Sequence, residues 1–508
     1  MSMTPEQVVA WLRQEAPHGE LSADSRRLSP GDVFVAYPGD AGDGRNFIAD
    51  ALARGAAAVV YESEQFSSAE ALTVPSIGVA QLRQQAGIIA NLWYGQPDAT
   101  LFAVAVTGTN GKTSCSQWLA DALSRLDGPA AVVGTLGTGL FRAGVVDQLA
   151  QTGYTTPDSI LLQRRLAGLH AAGATSLAIE ASSIGLDQHR LIGMHVDVAL
   201  LTNLTRDHLD YHGDMTSYEA AKAILFDWPG LRSAVLNHDD AAGRRMIARL
   251  QSRSPQVALW SYSVSAAEPV AGVATLRASE IRSTAAGTIF QLASPLGNAL
   301  VRTHLVGTFN VSNVLGVIGV LLAKGHSLKA VIEVIETLRA VPGRMQQFGG
   351  VDAPLVVIDY AHTPDALEKT LATLQPVAQQ RGGRLWCVFG CGGDRDPGKR
   401  AQMGAIGVTA DALIITSDNP RNEVPAEIIA QIVAGTSTHP RSNAVQVIED
   451  RAAAILWAVR HAEKSDVVLL AGKGHEDYQD VRGKKLPFLD ADHAALALAT
   501  RATTRGHV

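Results

Sequence analysis

Val104-Ala105-Val106-Thr107-Gly108-Thr109-Asn110-Gly111-Lys112-Thr113-Ser114 is the stretch on which the reading of this chain turns. Residues 101–106 form an apolar run that predicts a buried strand, and the spacing of Leu119 and Leu123 predicts a helix after Lys112. A strand, a glycine-containing turn and a helix in that order build a phosphate cradle. The glycines let backbone N–H groups turn inward, and the N-terminus of the helix adds its positive dipole end. In such a loop Lys112 reaches the β- and γ-phosphates of a nucleotide and the Thr113 hydroxyl faces Mg²⁺. The general pattern wants glycine where Val106 stands, so a plain strand-to-helix turn with an exposed lysine is the alternative.

Outward from this loop, residues 177–179, 196–201 and 234–236 predict further strands, followed by Glu180, Asn203 and Asn237 at or just beyond their ends. Helical segments lie between them, so residues 99–342 are expected to form a mostly parallel sheet covered by helices. Ligands of open α/β sheets bind beyond the carboxyl ends of the strands, where the phosphate loop and these three polar residues all fall. Residues 1–98 read as a small α/β domain with helices at 8–12 and 47–53 and strands at 32–36 and 57–60. Its turn-rich segment Pro38-Gly39-Asp40-Ala41-Gly42-Asp43-Gly44 follows a strand, where exposed backbone meets ligands.

After a hinge at Pro342-Gly343, residues 343–508 repeat the architecture. Strands at 355–358, 385–389, 413–416 and 467–470 lead into Asp359-Tyr360-Ala361-His362, Gly390-Cys391-Gly392-Gly393-Asp394-Arg395-Asp396, Asp418-Asn419-Pro420-Arg421 and Gly472-Lys473-Gly474-His475-Glu476. The expectation is an α/β protein of three domains. A small N-terminal α/β domain precedes a central P-loop ATPase-like domain with a mostly parallel sheet, and a Rossmann-like C-terminal domain with one crowded edge follows.

Composition bounds the function. At 508 residues the chain is too long for one core, which sets a prior of roughly two to four domains. Apolar residues at 46% and charged residues at 18% exclude a disordered chain. A formal net charge of -6 argues against broad nucleic-acid binding while leaving room for a local basic site for anions. Cys115, Cys387 and Cys391 lack metal-ligand spacing and read as reduced thiols. The polar, acidic start is unlike a signal peptide, and no apolar stretch approaches the roughly 20 residues that span a bilayer. A soluble cytoplasmic protein is expected.

Two constellations carry chemistry. Glu180 and His208, in polar segments after strands, could hold Mg²⁺ beside the phosphate loop, or could be capping and surface charge. Lys222 lies inside a helical pattern at 218–226, which by itself reads as a solvated helix lysine. In the third domain Asp394, Arg395, Asp418, Arg421 and Glu476 bring both signs of charge to adjacent strand ends. Such a set suits a zwitterion such as an amino acid, since Arg grips carboxylates bidentately; the alternative is surface ion pairs of little energy.

Taken together, the motifs resemble those of the Mur ligase family of peptidoglycan synthesis, over nearly the whole chain. They are residues 107–113, Thr155-Thr156-Pro157, residues 180–190 and 202–213, Tyr218 with Lys222, Gly307-Thr308-Phe309-Asn310 with Asn313, Pro342-Gly343-Arg344-Met345 and the four third-domain loops. The resemblance implies three domains that bind, in order, a UDP-sugar peptide, ATP and an incoming amino acid. It implies that Ser25, Asp40, Ala41 and Gly42 meet the UDP end, and that Thr155, Thr156, Ser182, Gln188 and Arg190 hold the sugar and peptide. Gly108, Thr109, Asn110, Gly111, Lys112, Thr113 and Ser114 would bind ATP with Asn310 at adenine, Arg344 at the γ-phosphate and Asp359 at ribose. Thr113, Glu180 and His208 would hold Mg²⁺ with Lys222, the latter as a CO₂-derived carbamate. Lys112, Lys222 and Arg344 would be the catalytic groups.

The motif Asp418-Asn419-Pro420-Arg421 resembles that of members whose amino acid is meso-diaminopimelate, with UDP-N-acetylmuramoyl-L-alanyl-D-glutamate as acceptor. Lysine-adding members lack the arginine, which would bind the extra carboxylate; Arg395, Gly472 and Glu476 would complete the pocket. One departure stands out: Ile184 occupies a position where many relatives carry His. The resemblance implies a monomer that forms an amide through an acyl phosphate. Alternatives are a lysine-adding ligase, a folylpolyglutamate synthase-like ligase and a non-catalytic nucleotide switch. The first 98 residues and Arg421 weigh against the folylpolyglutamate type, and a switch leaves Lys222 and the zwitterion pocket unexplained.

Overall fold

The apolar run at residues 101–106 forms strand Phe102–Thr107, whose Thr107 extends the ladder by pairing with Leu201. Ala103 and Ala105 face one buried cluster and Val104 and Val106 the other, so both faces of this strand are covered. That explains an apolar run without alternation. The computed structural model describes residues 3–505 apart from 41, 67–71, 152, 266–267, 285–286, 438–439 and 441–444, with side chains described to Arg501.

The chain folds around three principal sheets. The first is four-stranded and parallel, in the order Leu21–Ser22, Val33–Ala36, Ala58–Glu62 and Ser76–Val79. The central sheet has eleven strands. In its middle Ala130–Gly134, Ser176–Glu180, Phe102–Thr107, Val198–Leu201, Ser233–Asn237 and Ala258–Ser263 lie side by side and parallel. The parallel core carries antiparallel extensions, Gly137–Arg142 at one end and the Gly287–Ser294 and Gly297–Thr303 pair at the other. The third sheet is six-stranded, in the order Gln346–Gly349, Leu355–Asp359, Val467–Ala471, Leu385–Phe389, Ala412–Ile415 and Val445–Val447. Only its first strand is antiparallel to its neighbour. The fold is thus the α/β, three-sheet arrangement expected, with more edge strands than the apolar runs reveal. Strands such as Ala274–Thr284, paired on both sides but covered less completely, mix exposed and buried residues, which hides them from a search for buried runs.

Two features aim the loops. The phosphate-loop strand lies between Ser176–Glu180 and Val198–Leu201, so three carboxyl ends converge. In the third sheet, Val467–Ala471 lies between Leu355–Asp359 and Leu385–Phe389, so the loops after all three are neighbours. The fully buried pair of Arg451 and Asp490, at 2.7 Å, anchors this corner, because Arg451 also donates to the Ala471 carbonyl at 3.0 Å. Ala471 is the last residue before Gly472. No helix among the described residues is long and apolar enough to cross a membrane.

Candidate active site

The phosphate loop is braced by the segment that follows the next strand. Asn110 N–H donates to Asn203 Oδ1 at 3.0 Å, and the Asn110 carbonyl accepts from Asn203 Nδ2 and Thr202 Oγ1. Thr109 Oγ1 meets Tyr218 OH at 3.1 Å and the Thr205 backbone. Gly108 has φ +141, and a Cβ there would stand 1.9 Å from Thr202 Oγ1, so the loop needs glycine at this position. Val106, where the general pattern wants glycine, stays in the ladder; the turn begins two residues later.

Lys112 Nζ donates to the carbonyls of Gly108 and Thr109 at 2.8 and 2.9 Å, and Lys222 Nζ donates to the same Gly108 carbonyl at 2.9 Å. Two amines, that of buried Lys222 and that of half-buried Lys112, therefore share one oxygen, and among the described residues neither has an ion-pair partner. Burial lowers the pKa of Lys112, opposed by the charges of Glu180 and Asp207. Burial and the charge of Lys112 lower that of Lys222 well below the ordinary lysine range. Lys222 is only 3% exposed and lies 4.4 Å above the Tyr218 ring, so it is not the solvated helix lysine of the pattern reading.

Glu180 is fully buried at the end of its strand. Its carboxylate accepts from Thr113 Oγ1 at 3.1 Å, Thr135 N at 2.8 Å and Thr135 Oγ1 at 3.1 Å. Gly134 makes this possible, because a Cβ there would come within 2.2 Å of Glu180 Oε1. His208 keeps a left-handed backbone and sits 3.4 Å from Asp207, with its pKa lowered by burial. Against the burial that would raise it, the charges of His208, His362 and Lys112 hold the Asp207 carboxyl below its ordinary range. Among the described residues no three His, Cys, Asp or Glu side chains are placed to hold a metal ion.

From the third sheet, Arg344 reaches Thr113 Oγ1 at 3.2 Å and stacks 4.3 Å over the Tyr360 ring. Asp359 accepts from Met345 N at 2.9 Å, and burial pushes its carboxyl up to about 6, against Arg344. Asn310 donates to the Val306 carbonyl at 2.8 Å. A cavity of about 830 Å³ is lined by Lys112, Thr113, Glu180, His208, Lys222, Asn310, Arg344 and Asp359, together with Asn110, Gly111, Ser114, Thr155, Thr156, Ser182 and Arg190. Strand ends far apart in sequence thus meet around one space. Ile184 forms part of its wall, and the imidazole that reaches neighbouring Ser183 is that of His212, at 3.0 Å.

The residues predicted for the sugar peptide and the amino acid form two groups; Thr155, Thr156, Ser182 and Arg190 of the first share that lining, and the others lie outside it. Thr156 Oγ1 meets Ser182 Oγ and the Glu180 carbonyl, Thr155 meets Thr135, and Arg190 donates to the Thr156 carbonyl and to Gln188. Gln188 also bonds Asp40, which further accepts from Arg83 at 2.7 Å and Tyr211 at 3.2 Å. Gly42 is exposed on a two-residue strand and Ser25 is buried in a short 3-10 turn; Ala41 lies outside the described residues. In the third domain Asn419 donates to Glu476 at 2.7 Å, and Gly472 abuts Asp418 so closely that a Cβ would stand 2.8 Å from its Oδ2. Arg421 donates to the Gly393 carbonyl at 2.7 Å from a left-handed backbone, held by bonds to Asp480 and Arg482. Pro420 is buried within this loop and Arg395 is exposed beside it. Asp207, Thr135 and Lys473 were not among the residues expected from the sequence. Asp207 sits beside His208 and Lys473 beside Gly472, both chosen, whereas Thr135 lies in a segment from which no residue was chosen; a buried Lys gives no signal in a linear pattern.

Three family models match: the Mur ligase middle domain at residues 106–321, the Mur ligase glutamate ligase domain at 343–474 and the Mur ligase family catalytic domain at 19–94. The chain is 62% identical over 494 residues, 97% of each chain, to the UDP-N-acetylmuramoyl-L-alanyl-D-glutamate--2,6-diaminopimelate ligase of Janthinobacterium sp. (strain Marseille). A solved structure of a ligase with that name superposes with a TM-score of 0.66 at 34% identity, covering 99% of this chain and 100% of the other. At 17% identity, a MurF ligase from Thermotoga maritima in complex with ADP shares the fold with a TM-score of 0.61, covering 96% and 98%.

Proposed function

The chain belongs to the Mur ligase family, and we propose that it adds meso-diaminopimelate to the D-glutamate γ-carboxylate of UDP-N-acetylmuramoyl-L-alanyl-D-glutamate. It is an ATP-dependent, amide-forming ligase of peptidoglycan synthesis. The observation that carries the nucleotide reading is the convergence of buried Lys222 and half-buried Lys112 on the Gly108 carbonyl, a site that needs an anion. Residues 1–98 take the UDP end through Ser25, Asp40, Ala41 and Gly42, residues 99–342 take ATP, and residues 343–508 take the amino acid. The protein works as a monomer in the cytoplasm.

A γ-carboxylate oxygen attacks the γ-phosphorus of ATP, the bond to the β-phosphate oxygen breaks, and ADP leaves an acyl phosphate. The diaminopimelate amine then attacks the acyl carbon, loses a proton, and the tetrahedral intermediate expels phosphate. Lys112 and Arg344 draw off the charge that spreads over the transferring group, where most phosphoryl-transfer catalysis lies. The enclosing cavity keeps water from the acyl phosphate. Thr155, Thr156, Ser182, Gln188 and Arg190 hold the sugar peptide. Arg395 and Arg421 pair with carboxylates of the amino acid, while Asp418 and Glu476 take its ammonium group, with Asn419, Pro420 and Gly472 shaping the pocket.

The residues fit Mg²⁺. The Glu180 carboxylate is fully buried without a cationic side chain bonded to it, beside Thr113 and near the polar His208 loop. Lys222, its pKa lowered, is suited to form a carbamate with CO₂, whose added negative charge would complete the ligand set and face Lys112. The metal, when bound, neutralises phosphate charge. Gly134→Ala should push Glu180 aside and raise the Mg²⁺ concentration for half-maximal activity about tenfold; a titration unchanged from the parent would remove Glu180 from the metal site.

The reading as a whole is tested by phosphate release and product analysis with ATP, Mg²⁺ and UDP-N-acetylmuramoyl-L-alanyl-D-glutamate. Tripeptide product with meso-diaminopimelate, and little with L-lysine or no amino acid, is expected. Product with lysine alone would overturn the amino-acid assignment, and phosphate release indifferent to amino acid would favour a nucleotide switch.

A further inference from the structure

Lys473 is completely buried in the third domain, and every group it touches belongs to the candidate amino-acid pocket or its rim. Its Nζ donates to Asn419 Oδ1 at 3.2 Å, Glu476 Oε2 at 3.2 Å and the Tyr478 carbonyl at 2.6 Å, and lies 3.7 Å from Asp418 Oδ1. One ammonium thus ties together the loops after two different strands and the hairpin Tyr478–Val481 with Lys484–Pro487. Asn419 Oδ1 also accepts from Asp480 N at 2.9 Å, which orients the Asn419 amide so that Nδ2 meets Glu476 Oε2 at 2.7 Å. Glu476 spends Oε2 on Lys473 and Asn419, leaving Oε1 without a protein donor among the described residues.

We infer that Lys473 is the positioning residue of the amino-acid pocket, holding one oxygen of Glu476 and one of Asp418 so that their other oxygens face the ammonium of the incoming amino acid. The inference rests on the assignment of this pocket to the amino acid. Without Lys473, two carboxylates would share a buried corner with no cation between them, and one would take up a proton. The groups facing Glu476 are Asp418, Lys473, Asn419, the Tyr360 hydroxyl and, further off, Arg451. Burial and Asp418 already raise the Glu476 pKa, and Lys473 is the first cation opposing them.

Glu476 accepts the ammonium only when ionised, so in Lys473→Met the affinity for the amino acid should fall as pH falls. The experiment compares full-length parent, Lys473→Met and Lys473→Gln in the amide-forming assay between about pH 6 and pH 9. In the variants KM for diaminopimelate should rise about 100-fold near neutral pH and improve toward alkaline pH, with KM for ATP within about twofold. In a Glu476→Gln background the same replacement should cost far less. An unchanged KM for diaminopimelate, a joint loss of ATP and amino-acid affinity with no pH trend, or full additivity with Glu476→Gln would overturn the inference. Parent enzyme that does not use diaminopimelate would instead strike at the pocket assignment itself.

Discussion

Lys222→Ala is expected to lower kcat by about three orders of magnitude while ATP binding stays within severalfold of the parent. The side chain is buried beside Lys112, lacks a carboxylate partner among the described residues and has a pKa well below the ordinary lysine range. A neutral amine in that place can add to CO₂: nitrogen bonds carbon, one C=O π pair moves onto oxygen, a proton leaves, and a neutral group becomes an anion. The resulting charge would pair with Lys112 and relieve the crowding of two amines on the Gly108 carbonyl. Lys222→Arg should be as inactive as the alanine variant, because guanidinium keeps positive charge but forms no comparable carbamate. Steady-state rates and nucleotide calorimetry test this, with intact mass and parent activity measured after CO₂ removal and after bicarbonate is restored. An active arginine variant, or parent activity indifferent to CO₂, would end the carbamate reading.

Arg421→Ala should raise KM for meso-diaminopimelate by about 100- to 1,000-fold and leave KM for ATP within about twofold. Its guanidinium is tethered on one side to the Gly393 carbonyl, with Gly392 close against it, so its remaining N–H groups have a set direction. Two parallel N–H donors match a carboxylate bidentately, and loss of one partner leaves the ligand charge unpaired. L-lysine lacks that carboxylate, so the ratio of kcat/KM for diaminopimelate over lysine should collapse in the variant. Equal losses for both amino acids, or for ATP as well, would deny Arg421 a role in specificity. Lys222 and Arg421 thus probe separate ends of one reaction, and their effects should divide between kcat and KM.

Most of the strands were legible because they are buried on both faces and so appear as unbroken apolar runs, as at residues 355–358 and 467–470. The strands at 274–303 were not, since half-exposed residues there dilute the apolar signal. The strand expected over 196–201 begins only at Val198, because the Asp197 carboxylate accepts from Ala103 N at its edge. The helix expected at 47–53 opens as a 3-10 turn, Gly44–Phe47, before the α-helix Ile48–Ala53.

By itself, the sequence determined the α/β class, the phosphate loop and the polar residues at strand ends, since these depend on local order: strand, glycine turn, helix. Family resemblance supplied a role for Lys222, which pattern alone read as a solvated helix lysine, and a specific one for Arg421, which pattern alone left between a zwitterion pocket and surface ion pairs. Tertiary structure decided what those residues meet. Parallel pairing sets Glu180 opposite Val106 and Leu201 opposite Thr107, which brings Thr113, Glu180 and Lys222 to the rim of one cavity. Burial then changes the chemistry of side chains whose letters say only "charged": Lys222 becomes an amine inclined to neutrality, and Lys473 a fixed cation between two carboxylates. Desolvation and charge proximity depend on three-dimensional neighbours, and those are set by strand order rather than by spacing along the chain.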